Sequence, residues 1–130
     1  MNARLLLVED NAANIYLATF LLEQHGFVVE HASNGIECLA RVRAAPPDII
    51  LMDLQMPVMD GYETVRELLA EPVTAGIPII AVTAYAMTGD RTKALALGFR
   101  DYIEKPYDSA TFASRVASHL IRPASEDPHR

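Results

Sequence analysis

The stretch IILMD, residues 49–53, is an apolar run of strand length that ends in a carboxylate, and it indicates the fold. Two other runs, LLLV at residues 5–8 and IIAVT at residues 79–83, are nearly as apolar. Strands that are covered on both faces in a parallel sheet read as continuous apolar runs of this kind. The three runs are therefore predicted to be interior strands of a parallel sheet.

Two further runs of strand length are more polar. VVEHA at residues 28–32 and YIE at residues 102–104 carry Glu30, His31 and Glu104, which edge strands tolerate. Segments with helical spacing of apolar residues follow each run, at residues 14–25, 35–44, 62–70, 88–97 and 108–120. This alternation predicts an α/β fold of the flavodoxin-like (βα)5 type: a doubly wound five-stranded parallel sheet in the order 2-1-3-4-5, with helices on both faces.

The composition of the 130-residue chain fits one folded domain. Hydrophobic residues make up 51%, enough for a core, and the single cysteine, Cys38, excludes a disulfide within the chain and is expected to be buried. A net charge of −6 argues against a nucleic-acid partner, because neutralising phosphates needs a basic surface. No apolar run approaches the ~20 residues of a membrane-spanning helix. We therefore expect a soluble, cytoplasmic protein without a membrane partner.

Polar side chains follow the interior strands of the predicted sheet. Glu9 and Asp10 follow the first strand, Asp53 ends the third, Thr83 ends the fourth, and Lys105 follows the fifth. Ligands of doubly wound sheets bind beyond the carboxyl ends of the strands, where the strand order reverses between the first and the third. The three carboxylates are therefore predicted to converge in this crevice, with the hydroxyl and the amine on the same rim.

Carboxylates that converge in this way bind a proton or a cation, because their charges repel one another. Oxygen ligands without histidine or cysteine favour Mg²⁺, with Mn²⁺ as the alternative ion. An aspartate beside such an ion, with a lysine and a hydroxyl nearby, can act as the nucleophile toward a phosphoryl group and form an acyl phosphate. The residues thus predict a phosphoacceptor site.

From about residue 4 to residue 120 the chain resembles the receiver domains of two-component response regulators. The resemblance lies in Glu9-Asp10-Asn11, in Asp53 within LMDLQMPVMDG, in Thr83 within IAVTAYAMTGD and in Lys105-Pro106 within DYIEKP. AVTAYAMTGD and the short length are similar to DivK-type single-domain regulators and to the receivers of hybrid kinases. Residues 1–121 are expected to form the receiver domain and residues 122–130 a short polar tail, too short for a DNA-binding domain.

The resemblance implies a role for each residue of the site. Asp53 would be the phosphoacceptor, and Glu9, Asp10 and Asp53, with the backbone carbonyl of Gln55, would hold Mg²⁺. Lys105 would bind the phosphoryl group, Thr83 would move to hydrogen-bond it, and Tyr102 would rotate inward into the space that Thr83 leaves. The Lys105–Pro106 peptide bond would be cis. The residues expected to border the site are Met56, Pro57, Ala84, Tyr85 and Pro106.

The implied phosphoryl donor is a histidine kinase or a histidine phosphotransfer protein. The output would be a contact with a downstream protein through the fourth helix, fifth strand and fifth helix, made by a monomer or by a phosphorylation-dependent dimer. Such a protein is a switch that catalyses only its own phosphorylation and dephosphorylation, not an enzyme. The alternatives are a receiver domain excised from a hybrid histidine kinase or multidomain regulator and, more distantly, an aspartyl-phosphate hydrolase. Gln55 disfavours the hydrolase, since hydrolases that resemble the haloacid dehalogenases place an acid at this position.

Two residues are expected to set the lifetime of the phosphorylated state. Gln55 lies two residues after Asp53, and Tyr85 lies two residues after Thr83. The Tyr85 ring would screen the acyl phosphate from water, and Gln55 would position a water molecule less well than an acid. Hydrolysis of the acyl phosphate is therefore expected to be slow compared with receivers that carry small residues at these positions.

Overall fold

The computed structural model describes residues 2–56 and 58–121. Its strands are β1 (Arg4–Val8), β2 (Val28–Ala32), β3 (Ile49–Asp53), β4 (Ile79–Thr83) and β5 (Asp101–Glu104). Its helices are α1 (Ala12–Gln24), α2 (Gly35–Ala44), α3 (Gly61–Ala70), α4 (Asp90–Leu97) and α5 (Phe112–Ala117). The predicted tail at 122–130 and the predicted site residue Pro57 lie outside the described residues.

The five strands form one parallel sheet in the order β2-β1-β3-β4-β5, which confirms the predicted topology. β1 pairs on both sides, so that Leu5 lies opposite Val29 of β2 and Ile49 of β3. The strand order reverses at β1 and β3, and these neighbours point their carboxyl ends toward the same edge of the sheet. That edge is where the crevice of a doubly wound sheet forms.

The core has two halves, one on each face of the sheet. Alternate residues of each strand point to opposite faces, so Leu6 and Val8 pack on the α2–α3–α4 side while Leu5 and Leu7 pack on the α1–α5 side. Cys38 of α2 lies in the first half and is buried, as predicted. Burial raises the pKa of its thiol to about 12, so the cysteine is a packing residue.

The two edge strands differ in burial. β2 is largely half-exposed, as expected for an edge, whereas Asp101, Tyr102 and Ile103 of β5 are buried. The Asp101 carboxylate receives hydrogen bonds from Arg115 Nε and Nη2, each at 2.8 Å, and contacts His119 Nε2 at 2.9 Å and Arg91 Nη1 at 3.4 Å. We call Arg91, Asp101, Arg115 and His119 the Asp101 cluster. Because it joins β5 to both α4 and α5, it lets a polar edge strand lie under two helices.

Local capping groups and one glycine set the helix ends where they differ from the predicted ones. α1 begins at Ala12, two residues before the predicted start, because the Asn11 side chain accepts from the Asn14 amide at 3.0 Å and caps the helix. α4 begins only at Asp90, because Gly89 has a φ of +89° and cannot continue a helix. α5 is shorter than predicted, since the Asp108 side chain accepts from the Ala110 amide and holds a turn before it. None of the helices in the described part of the chain is long and apolar enough to cross a membrane.

Gly61 allows α3 to begin directly behind the end of β3. A Cβ atom at this position would lie 2.9 Å from Leu54 Cδ2 and 3.1 Å from the Asp53 carbonyl oxygen. The helix is capped one residue earlier by Asp60, whose side chain accepts from the Glu63 amide at 2.9 Å. The glycine is therefore required because a Cβ atom at this position would collide with the residues at the end of β3.

Candidate functional site

Three carboxylates meet at the carboxyl edge of the sheet: Glu9, Asp10 and Asp53, which we call the acidic cluster. One oxygen from each lies within 4.8 Å of the others, and Glu9 and Asp53 are buried while Asp10 is exposed. Glu9 and Asp10 directly follow β1, and Asp53 is the last residue of β3. Because β1 and β3 are neighbouring parallel strands, their ends bring the three predicted side chains together.

Lys105 lies directly after β5 and reaches across the edge of the sheet to the acidic cluster. Its Nζ donates to Glu9 Oε1 at 2.7 Å and to Asp53 Oδ2 at 3.1 Å, and its side chain is 10% exposed. The Lys105–Pro106 peptide bond is cis, as the resemblance implied. Burial lowers the pKa of the lysine, but the two carboxylates outweigh it and the pKa is raised. The lysine therefore stays an ammonium ion at neutral pH.

Backbone amides bind the remaining oxygens of the two buried carboxylates. The Gln55 amide donates to Asp53 Oδ1 at 2.9 Å. The amides of Asp10 and Asn11 both donate to Glu9 Oε2, each at 3.2 Å. All four oxygens of Glu9 and Asp53 thus have a hydrogen-bond donor, which allows carboxylates to be buried.

Glu9 and Asp53 are shifted in opposite directions although they are neighbours. Burial raises the pKa of Asp53 to about 6, and the nearby Glu9 carboxylate adds to the increase. Burial also acts to raise the pKa of Glu9, but hydrogen bonds from Lys105 and the Asn11 amide outweigh it, so that the pKa falls below its ordinary value. Charge repulsion within the acidic cluster therefore raises the pKa of Asp53 and not that of Glu9.

The donor set of the acidic cluster fits one divalent cation. Three carboxylates face one ammonium group, which leaves an excess of two negative charges. The candidate ligand atoms are carboxylate oxygens, and no histidine or cysteine belongs to the group. Hard oxygen donors of this kind select Mg²⁺.

Thr83 is buried next to this site, but its hydroxyl is bound elsewhere. Its Oγ1 donates to Gln55 Oε1 at 2.7 Å and accepts from the Tyr85 amide at 3.1 Å. Sequence reasoning gave the Gln55 side chain a role toward water only and missed its bond to Thr83. The two residues are 28 positions apart, and their side chains meet only because β3 and β4 are neighbours.

The two tyrosines to which the sequence gave roles lie in different environments. Tyr102 is 5% exposed, and its hydroxyl has no hydrogen-bond partner among the described residues. The Tyr102 ring is thus buried while the Thr83 hydroxyl is still bound to Gln55. The rotation of Tyr102 into space left by Thr83 stays a prediction. The Tyr85 ring is 73% exposed, so screening of Asp53 by this ring also stays a prediction. Of the other bordering residues, Met56 is half-buried, and Ala84 and Pro106 are exposed.

Tyr107 is a buried neighbour of the site that sequence reasoning missed. Its ring stacks on Phe112 with 4.1 Å between centroids, and its hydroxyl has no partner among the described residues. Burial raises its pKa strongly, and the negative charges of Glu9 and Asp53 add to the increase. Its position two residues after Lys105 was the only sequence signal.

Comparison with known proteins places the chain among signalling proteins. The family model described as "Response regulator receiver domain" matches residues 5–117. Protein PilH of Pseudomonas aeruginosa is 37% identical over 118 residues, which cover 91% of this chain and 98% of PilH. The polar-differentiation response regulator DivK of Brucella anthropi is 38% identical over 120 residues, which cover 92% of this chain and 98% of DivK.

A solved structure agrees with these relatives. The receiver domain of a sensor histidine kinase from Pseudomonas aeruginosa matches with a TM-score of 0.82 and 36% identity, covering 91% of this chain and 97% of that chain. Its crystal structure has a magnesium ion coordinated in the active site cleft.

Proposed function

The chain belongs to the response regulator receiver domain family, as the resemblance predicted, and we propose that Asp53 is the residue that accepts its phosphoryl group. Receiver domains act as signalling switches and take phosphoryl groups from histidine kinases or phosphotransfer proteins. One observation carries the proposal: Asp53 is the buried carboxylate at a central strand end that lies against both Glu9 and Lys105.

The contacts of Asp53 suit it to act as the nucleophile. An Asp53 oxygen attacks phosphorus while the P–N bond of the donor phosphohistidine breaks, and the electron pair of that bond stays on the imidazole nitrogen. The Lys105 ammonium group, 3.1 Å from Asp53 Oδ2, stabilises the charge on the phosphoryl oxygens. The Gln55 amide holds the other oxygen, so the carboxylate keeps one orientation.

Receiver domains bind Mg²⁺ at their acidic site. We propose that Glu9, Asp10, Asp53 and the backbone carbonyl of Gln55 hold it in this chain, with Mn²⁺ as the alternative ion. When bound, the ion supplies positive charge that offsets the charge on the transferred phosphoryl oxygens. The excess of two negative charges in the acidic cluster supports this ligand set.

Phosphorylation is proposed to act on the face formed by α4, β5 and α5. Thr83 leaves Gln55 to bind the phosphoryl oxygens, and Tyr102 takes up the space. A cavity of about 420 Å³ lies on this face, lined in part by Met87, Arg91 and Tyr102, and Met87 is exposed. A downstream protein is proposed to dock there.

The protein is proposed to be a monomer or a phosphorylation-dependent dimer. Sedimentation with and without a phosphoryl analogue distinguishes the two.

We propose that the protein acts in the cytoplasm and catalyses only its own phosphorylation and dephosphorylation. The hydrolase alternative predicts turnover of small phosphate esters, which we do not expect. We propose a single-domain regulator, by likeness to PilH and DivK, of which the chain covers 98% each; a receiver excised from a hybrid kinase is the alternative.

Labelling with acetyl phosphate and Mg²⁺ tests the assignment of Asp53. We expect stoichiometric labelling of the wild type and none of Asp53→Asn. The matched control is Asp48→Asn, which changes an exposed aspartate just before the opposite end of β3 and should label normally. Equal labelling of Asp53→Asn and the wild type would overturn the assignment.

A further inference from the structure

The backbone of Glu9 is held by β2 on both sides of the residue. Its amide donates to the Ala32 carbonyl at 3.1 Å, which continues the strand ladder. Its carbonyl oxygen lies 2.8 Å from His31 Nε2. A carbonyl can only accept, so the histidine must carry a proton on Nε2 and donate it.

The histidine side chain takes the place of a missing ladder bond. The pairing of β1 with β2 ends at Val8 and Ala32, and the chain then turns into α2, whose N-cap is Asn34. Beyond this point β2 offers no strand amide to the Glu9 carbonyl. His31 supplies the donor from its side chain instead.

The peptide unit that His31 holds links two members of the acidic cluster. A peptide unit is planar, so the Glu9 carbonyl and the Asp10 amide turn together. That amide donates to Glu9 Oε2 at 3.2 Å, and the same plane leads into the Asp10 side chain. A tilt of the plane therefore shifts Asp10 and the amide that binds Glu9 Oε2 relative to Asp53, whose oxygen lies within 4.8 Å of theirs.

We propose that His31 is a positioning residue for magnesium binding, acting through the Glu9–Asp10 peptide. It does not touch the ion; it holds the plane from which two of the three carboxylates extend. Groups that orient metal ligands commonly change metal affinity by tenfold or more when they are removed. The inference rests on the proposed function only in taking Glu9 and Asp10 as magnesium ligands.

His31 also lines a groove together with Tyr16 and Phe20 of α1, so a purely structural role has to be separated from positioning. Two variants separate them. His31→Phe keeps an aromatic ring and removes the donor, whereas His31→Gln removes the ring and keeps an N–H donor. Magnesium affinity is measured by titration calorimetry, and the thermal stability of each variant is measured without the ion.

We expect the magnesium Kd of His31→Phe to rise about five- to tenfold and that of His31→Gln to stay within about twofold of the wild type. The inference is overturned if His31→Phe binds magnesium as tightly as the wild type, or if His31→Gln is weakened as much as His31→Phe. Glu9→Gln is measured in parallel. If its magnesium affinity is unchanged, the ligand assignment fails and the inference with it; if only Glu9→Gln is weakened, the inference alone fails.

A measurement on the wild type covers the case that His31→Phe does not fold. The imidazole ¹⁵N spectrum should show a proton on Nε2 of His31, with a resonance that shifts as magnesium is added. A proton on Nδ1 alone, or an Nε2 resonance that magnesium leaves unchanged, overturns the inference.

Discussion

At the scale of single residues, the two buried carboxylates of the site differ in how readily they ionise: the pKa of Glu9 is lowered and that of Asp53 is raised. Glu9 has an ammonium group and two amides around it, whereas Asp53 shares that ammonium group and faces Glu9. A folded-state pKa of about 6 lies above the ~3.9 of an unfolded aspartate. The folded protein therefore binds the Asp53 proton more tightly than the unfolded chain does, and ionisation of Asp53 costs stability.

Asp53→Asn should be more stable than the wild type at pH 7.5 without divalent metal. In the wild type, the contribution of Asp53 to stability falls as pH rises from about 4 to about 6, because its carboxyl group ionises less readily in the folded protein than in the unfolded chain. The fall is complete above pH 6. The variant should gain on the order of 1–2 kcal/mol at pH 7.5, and the gain should vanish near pH 4. Urea unfolding in a chelating buffer measures both values. Asp48→Asn should show no such gain, and a loss of stability in Asp53→Asn at pH 7.5 would contradict the pKa assignment.

Gln55→Ala should favour the phosphorylated arrangement. The variant removes the 2.7 Å hydrogen bond from the Thr83 hydroxyl to Gln55, which Thr83 has to break in the proposed movement toward the phosphoryl group. A net hydrogen bond contributes about 1 kcal/mol, so beryllofluoride, a phosphoryl analogue that is not hydrolysed, should bind about fivefold more tightly in the presence of Mg²⁺. Gln55→Glu, which keeps an acceptor for Thr83, is the control. Unchanged or weaker binding to Gln55→Ala would show that Gln55 does not restrain Thr83.

The site residues at strand ends could be predicted from the sequence, because the carboxyl ends of parallel strands meet at one edge. Glu9, Asp10 and Asp53 lie where this rule places them. The bond between Thr83 and Gln55 could not be predicted, since it depends on the rotamers of two side chains, one at the end of β4 and one in the loop after β3. The proposed role of His31 could not be predicted either, because it acts through the Glu9 carbonyl and leaves no metal-ligand spacing in the sequence.

At the scale of elements, each of the two edge strands supplies the carboxylate of an arginine–carboxylate pair, with the arginine coming from β1 in one case and from α5 in the other. On the β2 side, Arg4 and Glu30 are joined at 2.8 Å with both side chains more than one-third exposed. On the β5 side, the Asp101 carboxylate is 7% exposed and receives hydrogen bonds from Arg115. Water screens both partners of the first pair, whereas in the second pair the Asp101 carboxylate is buried and only Arg115, 43% exposed, reaches water.

Asp101→Asn should destabilise the protein far more than Glu30→Gln does. Removing a buried partner leaves Arg115 without its carboxylate and should cost about 2–3 kcal/mol, against less than about 1 kcal/mol for the exposed pair. Burial acts to raise the pKa of Asp101, but Arg115, the Tyr102 amide and His119 hold it well below its usual value. The stabilisation is therefore present above the unfolded pKa of ~3.9 and is lost as pH falls below it.

Urea unfolding of both variants between pH 3 and pH 7 checks this prediction. The wild type and Glu30→Gln should lose stability steeply below pH 4, and Asp101→Asn should show a shallower loss. Similar free energies of unfolding for the two variants at pH 7 would mean that the Asp101 cluster contributes little.

The kind and order of the elements followed from the sequence, whereas some of their ends did not. Apolar periodicity predicts which segments are helices, but it does not register the polar groups that start them. Gly89 delays α4, and Asp108 holds a turn where a helix was predicted. The burial of β5 could not be predicted either. The arginines that bind its Asp101 carboxylate, Arg91 and Arg115, come from the helices before and after β5 in the sequence.

At the scale of the whole molecule, the acidic cluster and Lys105 tie together three strands that are far apart in sequence. Glu9 and Lys105 are 96 positions apart, and Asp53 lies between them. Unfolding of any one of these strands takes the site apart. Magnesium should therefore bind to the folded state and not to the unfolded chain.

Magnesium should raise the global stability of the wild type in one cooperative transition. At ten times its Kd, the ion should add about 1.4 kcal/mol to the free energy of unfolding at pH 7.5. The increase should shrink below pH 6, because a proton then competes at Asp53. Thermal unfolding with MgCl₂, and with KCl at matched ionic strength, measures the effect. Equal stabilisation by both salts would show that no specific ion is bound.

The wide separation of the site residues has a consequence for biosynthesis. Lys105 is supplied near the end of the receiver domain, so a nascent chain that has exposed only Glu9 and Asp53 lacks the ammonium group both carboxylates contact. A polypeptide that ends before Lys105 lacks the cation that we propose stabilises the transferred phosphoryl group, so we expect that it does not accept one. We therefore expect the complete site to form only when β5, which Lys105 follows, has joined the sheet.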